Sequence, residues 1–241
     1  MPTDIDVRHD GYVDTITINR PEVRNALRWQ SYDELEAAVH ESHARAIVIT
    51  GADPAFCSGD DVREIMGDGE KRDKPTISTP LLTPAADVIL NTNIPVIAAV
   101  NGAAVGWGME LSLMADVRIA SEQARFGELF VLRGLCTDVC GIGRLASVVG
   151  RDHAARLLFT GDVIAAAEAM TSGSFRRSSP TSSSCQRRAR WHRRSPPAPR
   201  WRSPRSRKEC VERSIRTGTS WASGCRHPSP SSSRPRITAK A

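Results

Sequence analysis

The stretch that determines the fold is PVIAAVNGAAVGWGMELSLMADVRIASEQARFG, residues 95–127. An apolar run at residues 94–100 is typical of a short buried strand. It leads into a glycine-rich turn and then into an apolar helical segment. Residues 116–120 have the composition of a further strand. A strand, a glycine-containing turn and a helix in this order predict one unit of an α/β fold.

The same order of elements occurs earlier in the chain. Residues 46–50, AIVIT, are predicted to form a buried strand, and AFCSGDDVREI, residues 55–65, a glycine-bearing turn that runs into a helix. Before them, residues 13–19 alternate apolar and polar side chains as a half-buried strand does, and a helix is expected from about Ser31 as its N-cap. Helical periodicity returns within residues 143–170. Strands that alternate with helices place the chain in the α/β class.

Both glycine turns end at the first residues of a predicted helix, Ser58 to Asp61 in one case and Gly106 to Gly108 in the other. The first N–H groups of a helix have no intrahelical acceptor, and the helix dipole favours a negative charge beside them. Two such turns directed at one carbonyl oxygen would form an oxyanion hole, which suits an enolate or a tetrahedral intermediate. Either turn by itself is more typical of an ordinary connection between a strand and a helix.

Four segments together resemble a known family: NRPEVRNAL (19–27), AFCSGDDV (55–62), residues 95–127, and RLASVVGRDHAARLLFTGDVIAAAEA (144–169). In this order and spacing, over residues 7–169, the chain resembles the enoyl-CoA hydratase/isomerase (crotonase) superfamily. The resemblance implies a crotonase-type ββα spiral core that binds an acyl-CoA thioester. It also implies that two backbone N–H groups stabilise the thioester enolate.

The resemblance assigns the two oxyanion donors to the backbone N–H groups of Asp60 and Trp107. The family mostly has glycine at the second of these positions, so Trp107 departs from the pattern. A backbone donor survives this change of side chain if its φ stays negative. We therefore expect both donors to be retained.

The resemblance also implies contacts with coenzyme A. Arg24 and Ala26 fall where the family contacts the CoA nucleotide, and Arg63 falls where a basic residue approaches the CoA phosphates. Ser58, in the first glycine turn, completes the predicted CoA-binding set. Solvated surface charges are an equally good interpretation of Arg24 and Arg63.

Hydratases of this family use two glutamates as a general acid/base pair. Glu110 matches the first, but the second is expected at Phe130, whose side chain cannot transfer a proton. Asp138 matches the catalytic aspartate of the dienoyl-CoA isomerase branch, although a helix N-cap is an equally good interpretation of it. The resemblance therefore implies double-bond isomerisation or hydration in fatty acid metabolism, by an isomerase or a lyase, with Glu110 and Asp138 as the catalytic candidates.

Composition limits the class of protein further. The 241 residues are 40% hydrophobic, which suits one main domain, and the first residues, MPTDIDVRHD, do not resemble a secretory signal. The most apolar stretch contains several glycines and Glu110, so no membrane segment is predicted and a cytoplasmic location is expected. The six cysteines lack zinc-ligand spacing and are expected to be reduced thiols. No metal is expected, and no cofactor beyond the coenzyme A of the substrate.

The last part of the chain has a different composition. Residues 171–241 contain 16 Arg, 2 Lys and 2 Glu, a net charge of +16, which leaves −10 for residues 1–170. They hold 17 Ser and no Leu, too little apolar surface for a core. We predict an acyl-CoA-binding core at 1–170 and, at 171–241, an Arg/Ser/Pro-rich tail that is disordered or translated out of frame. The alternative is a real basic tail that binds nucleic acid.

The resemblance carries an expectation about assembly as well. Members of the family continue with C-terminal helices that close the CoA pocket and build trimers, often hexamers. A homotrimer or hexamer is therefore expected if the C-terminus is intact. If those helices are missing or replaced, the chain is instead expected to be a catalytically impaired acyl-CoA-binding protein.

Overall fold

A computed structural model describes residues 3–65, 82–137, 139–172 and 176–177, all of which belong to the first of the two units of the chain, Met1–Arg202. The strands are β1 Ile5–Asp10, β2 Val13–Ile18, β3 Ala46–Gly51, β4 Ala55–Cys57, β5 Val96–Val100, β6 Ala103–Val105, β7 Val117–Ala120, β8 Arg125–Gly127, β9 Val163–Ala165 and β10 Arg176–Arg177. The helices are α1 Trp29–His40, α2 Val62–Ile65, α3 Pro84–Asn91, α4 Trp107–Met114, α5 Gly141–Val149, α6 Arg151–Thr160 and α7 Ala166–Thr171. Two short 3-10 helices cover Pro21–Val23 and Leu129–Arg133.

The first sheet has six strands in the order β1-β2-β3-β5-β7-β10. Strands β1 and β2 form an antiparallel hairpin, and the remaining neighbours are parallel. Strand β3 is buried along its whole length, as expected for a parallel strand that is covered on both faces. Ile47 and Ile49 belong to the main core, whereas Val48, which alternates with them, belongs to a second small apolar cluster.

The second sheet is built from strands of three residues each, in the order β4-β6-β8-β9. The pairs β4–β6 and β6–β8 are parallel, and β9 is antiparallel to β8. Each successive turn of the chain adds one strand to the first sheet and the next strand to the second, as β3–β4, β5–β6 and β7–β8 do. The predicted α/β class and the crotonase-type ββα spiral are therefore confirmed. The spiral places the ends of β4, β6 and β8 side by side.

The structure moves the predicted start of the first long helix. Helix α1 begins at Trp29 with Arg28 as N-cap, so Ser31 is the third helical residue and not the cap. The Ser31 hydroxyl accepts a hydrogen bond from the Arg28 backbone N–H (3.1 Å) and donates one to the Asp4 carboxylate (2.6 Å). The Ser31 hydroxyl binds the backbone of the cap residue from the third helical position, so Ser31 resembles an N-cap in sequence, and the N-cap is predicted three residues too late.

Some predicted features fall at or beyond the limits of the described residues. Helix α7 ends at Thr171, and the short strand β10 pairs in parallel with β7, one residue opposite Ile119 and the next opposite Ala120. The rest of the predicted tail, and the catalytic candidate Asp138, lie outside the described residues. In the described part of the chain no helix has the length and apolar character needed to cross a membrane. Its three cysteines are free thiols, and its His, Cys, Asp and Glu side chains form no cluster that could hold a metal ion.

Candidate active site

The two glycine turns lie against each other. Gly59, after β4, has φ +92°, and Gly106, after β6, has φ +54°, a region that favours glycine. A Cβ atom added to Gly59 would lie 3.1 Å from the carbonyl oxygen of Val105 and 3.3 Å from the backbone nitrogen of Trp107. A Cβ added to Gly108 would overlap the carbonyl of Cys57. The absence of side chains at these glycines therefore allows the start of α4 to pack on the end of β4.

The two predicted oxyanion donors occupy equivalent places in these turns. Asp60 follows Gly59, and Trp107 is the first residue of α4, without a positive φ. The Trp107 side chain is 3% exposed and packs edge to face on the ring of Tyr32, with the centroids 4.9 Å apart. The Tyr32 hydroxyl in turn donates a hydrogen bond to the Asp60 carboxylate. The tryptophan is thus accommodated in the core, and the backbone of α4 still begins as a helix.

The loop that carries NRPEVRNAL is fixed to the first glycine turn. The side-chain amide of Asn25, 0% exposed, donates to the carbonyl oxygens of Ala52 (2.7 Å) and Ala55 (2.8 Å). Arg20 binds the Asp61 carboxylate at 3.2 Å. The loop also pairs with the turn through its backbone, because the N–H of Leu27 donates to the carbonyl of Gly59 and the N–H of Asp61 donates to the carbonyl of Leu27.

A cleft of about 870 Å³ opens between this loop and the first turn. It is lined by Glu22, Val23, Ala26, Trp29, Asp60, Asp61, Val62, Arg63 and Glu64. The structure therefore brings Asp60 together with two members of the predicted CoA-binding set, Ala26 and Arg63. The described lining contains four carboxylates and one guanidinium, so it is not by itself a phosphate-binding patch.

The other two members of the predicted CoA-binding set lie beside this cleft. The N–H of Ser58 donates to the carbonyl oxygen of Arg24 (3.1 Å), and the Ser58 hydroxyl donates to that of Val23 (3.2 Å), a lining residue. The Arg24 side chain is exposed. Arg24 and Ser58 are thus neighbours, in contact mainly through the backbone.

Two glutamates are buried next to each other beyond the second turn. Glu110, in the first turn of α4, is 0% exposed, and Glu128, directly after β8, is 1% exposed. Burial, the charge of Glu110 and a hydrogen bond with Glu110 raise the pKa of Glu128 to about 9. Two carboxylates in apolar surroundings cannot both ionise cheaply, so the pair holds a proton near neutral pH.

Helix α5 begins directly at this pair. A Cβ added to Gly141, its first residue, would overlap the carboxylate of Glu110. Glu110 therefore faces the N-terminal end of a nine-residue helix, where the dipole favours negative charge. The Arg144 guanidinium, one turn further along α5, is also close enough to interact with the charge of Glu110.

Sequence reasoning missed Glu128 because it searched for a second glutamate 20 residues after Glu110, where the chain has Phe130. Phe130 lies half-buried in the 3-10 helix Leu129–Arg133. The carboxylate beside Glu110 belongs to Glu128, which lies 18 residues after it in the sequence. The available signal was a glutamate that directly follows the short strand RFG, at the sheet edge where the ends of β4, β6 and β8 meet.

Comparisons with known proteins identify the family to which the chain is similar. The family model for enoyl-CoA hydratase/isomerase matches residues 8–195, which is 25 residues past the predicted boundary at 170. A relative from Rhodobacter capsulatus named "Probable enoyl-CoA hydratase" is 42% identical over 162 residues, 66% of this chain and 62% of that protein. A relative of the same name from Rhizobium meliloti is 38% identical over 175 residues, 69% of this chain and 65% of that protein. The chain thus matches slightly less than two thirds of the length of these relatives.

Solved structures lead to the same family. The enoyl-CoA hydratase from Mycobacterium tuberculosis H37Rv superposes with a TM-score of 0.68 at 32% identity, over 79% of this chain and 80% of that chain. A Thermobifida fusca YX protein of the enoyl-CoA hydratase type, crystallised in complex with acetoacetyl-CoA, superposes with a TM-score of 0.73 at 28% identity, over 89% of this chain and 88% of that chain. With a family model that covers most of its length and a ββα spiral of the same type, the chain belongs to the enoyl-CoA hydratase/isomerase family.

Proposed function

We propose that this protein acts on acyl-CoA thioesters as a hydratase or double-bond isomerase of the enoyl-CoA type. The observation that carries the proposal is the contact between the two glycine turns, with a buried glutamate one helical turn beyond the second. The backbone nitrogen of Trp107 lies at this contact, and Asp60 follows the first turn. Two N–H groups so placed would bind the thioester oxygen as it gains charge in the enolate.

The buried glutamate supplies the proton chemistry in this proposal. The backbone N–H of Glu110 donates to the carbonyl of Gly106 (3.2 Å), which places its side chain in the first turn of the same helix that offers the N–H of Trp107. A carboxylate buried at the start of an apolar helix is costly unless it has a function. Glu110 would remove or return a proton on the acyl chain while the backbone donors hold the enolate oxygen.

The place of coenzyme A is part of the same proposal. The cleft is lined by Asp60, which carries the first donor, and also by Ala26 and Arg63. The relative crystallised with acetoacetyl-CoA supports a CoA thioester as the ligand. Arg24 and Arg63 would contact the phosphates from the exposed edge of the cleft. A trimer or hexamer and a cytoplasmic location remain expectations from the family resemblance.

Replacement of the proposed acid/base tests the function. For Glu110→Gln we expect kcat toward a short 2-enoyl-CoA and a dienoyl-CoA to fall by roughly 100-fold or more, with KM nearly unchanged, because general acid/base catalysis contributes about that much. The matched control is Glu122→Gln, at an exposed glutamate, which should retain full activity. Equal turnover by the Glu110→Gln variant and the unsubstituted chain would refute the proposal.

A further inference from the structure

The contact between Glu110 and Glu128 follows from the backbone. The N–H of Gly106 donates to the carbonyl oxygen of Gly127 (2.9 Å), and the carbonyl oxygen of Gly106 accepts from the N–H of Glu110 (3.2 Å). Gly106 therefore connects Gly127, the residue before Glu128, to Glu110 through two backbone hydrogen bonds. Strand pairing fixes the same geometry, because Val105 in β6 lies opposite Gly127 in β8. The pairing of β6 with β8 thus brings Glu110 and Glu128 close together.

The surroundings of the pair differ on its two sides. Glu110 faces Gly141, the first residue of α5, and interacts electrostatically with the positive charge of Arg144, which is also in α5. Glu128 follows β8 directly, is 1% exposed, and is affected by the charge of Glu110. Among the described residues, the titratable groups around the pair are these two glutamates, Arg144 and, beside Arg144, Cys140. Negative charge is therefore stabilised on Glu110, and the shared proton belongs on Glu128.

We propose that Glu128 is a positioning residue for Glu110: it stays protonated and donates a hydrogen bond that holds the Glu110 carboxylate ionised and oriented toward the substrate. The inference rests on the proposed function of Glu110. It assigns a role to a second glutamate, Glu128, whereas the position at which the family has its second glutamate is occupied here by Phe130. Glu128 acts through Glu110 and makes no bond to the substrate. Glu128 keeps its own proton throughout the reaction, and the proton that is exchanged with the acyl chain is carried by Glu110 alone.

Two variants of Glu128 separate this role from others. Glutamine retains a neutral group that can donate to Glu110, so Glu128→Gln should keep kcat within about threefold of the unsubstituted chain at pH 7. Leucine cannot donate, so Glu128→Leu should lose roughly 100-fold in kcat, the usual effect of a misplaced catalytic group, with little change in KM. Circular dichroism spectra would establish that both variants are folded.

The pH profile provides a readout that a purely structural role would not change. The unsubstituted chain should lose activity as the pH rises through about 9, where Glu128 ionises and repels Glu110. The Glu128→Gln variant has no such ionisation, and its profile should lack that alkaline limb. A Glu128→Gln variant as inactive as Glu128→Leu, or a fully active Glu128→Leu variant, would overturn the proposal.

Infrared difference spectroscopy tests the proton without any turnover. Difference spectra of the full chain against Glu128→Gln should show one protonated carboxyl group at pH 7 that disappears through about pH 9. If no protonated carboxyl group is present at pH 7, the inference is wrong even if the enzyme is active. If the protonated group is present and no acyl-CoA substrate turns over, the proposed function fails while the assignment of the proton to Glu128 stands.

Discussion

At the scale of single residues, the candidate site depends on glycines at positions where a side chain would clash with neighbouring atoms. Gly141 has the most direct role, because its Cα faces the Glu110 carboxylate with no space for a methyl group. Gly143, two residues further along α5, has no atom within 4 Å of an added Cβ. The same helix thus contains one glycine required by the site and one that is not.

This contrast gives a residue-scale prediction. Gly141→Ala should destabilise the fold by about 1–3 kcal/mol, because the methyl group must displace a packed side chain. It should also lower kcat toward an enoyl-CoA by roughly 100-fold, because the displaced side chain is Glu110. Urea unfolding and steady-state kinetics on the purified chain measure the two effects.

Gly143→Ala is the matched control for this substitution. Alanine has the higher helix propensity, so the control should be neutral or more stable by up to about 1 kcal/mol and should keep its activity. If both alanine variants behave alike, the contact between α5 and Glu110 does not matter for catalysis.

At the scale of elements, the sequence predicts most of the longer strands and helices, but it misses the six-residue edge strand β1, which has a single buried residue, and the short strands of the second sheet. Residues 13–19, 46–50 and 94–100 were predicted as strands, and the structure has β2, β3 and β5 there. The strands of the second sheet have three residues each, too few for an apolar period to be visible. Glu128 was missed for a related reason, because its partnership with Glu110 depends on the pairing of β6 with β8 and not on sequence spacing.

The loop that covers the first turn provides an element-scale prediction. Asn25→Ala removes two side-chain hydrogen bonds to backbone carbonyls and places alanine at φ +58°. Loss of buried hydrogen bonds and the strained φ together should cost about 3 kcal/mol of unfolding free energy. Urea unfolding measures this loss.

Asn19→Ala is the control for the loop, since Asn19 is exposed and its amide bonds only the Asp6 carboxylate among the described contacts. This change should alter the unfolding free energy by less than about 0.5 kcal/mol. A loss at Asn25 no larger than the loss at Asn19 would show that the loop is not held by the buried amide.

At the scale of the whole molecule, the chain combines two segments of opposite charge, −10 for residues 1–170 and +16 for residues 171–241. The acidic segment contains nearly all the described residues and both buried glutamates. The family match continues to residue 195 and so includes part of the basic segment. The origin of that segment, as a real tail or as an altered reading frame, stays a prediction that the coding DNA would decide.

The buried pair also couples the stability of the whole fold to pH. The pKa of Glu128 is about 9 in the folded chain, against 4.5 for an unperturbed glutamate. Between these values the folded chain binds a proton that the unfolded chain releases, so the unfolding free energy should fall as the pH rises from about 5 to about 9. The contribution of one proton is at most about 1.4 kcal/mol per pH unit. Below the lower value the stabilisation is complete, and above the upper value the decrease levels off.

Urea unfolding of Glu128→Gln tests this coupling, because glutamine removes the titrating group. The variant should show a flatter dependence of unfolding free energy on pH between 5 and 9 than the unsubstituted chain. Glu122→Gln, at an exposed glutamate, should leave the dependence as it is in the unsubstituted chain. The same steep decrease in both variants would mean that the proton is held elsewhere in the fold. If the unfolding free energy becomes less dependent on pH only in Glu128→Gln, the titrating proton belongs to the Glu110–Glu128 pair. Release of that proton then accounts for the loss of stability at high pH.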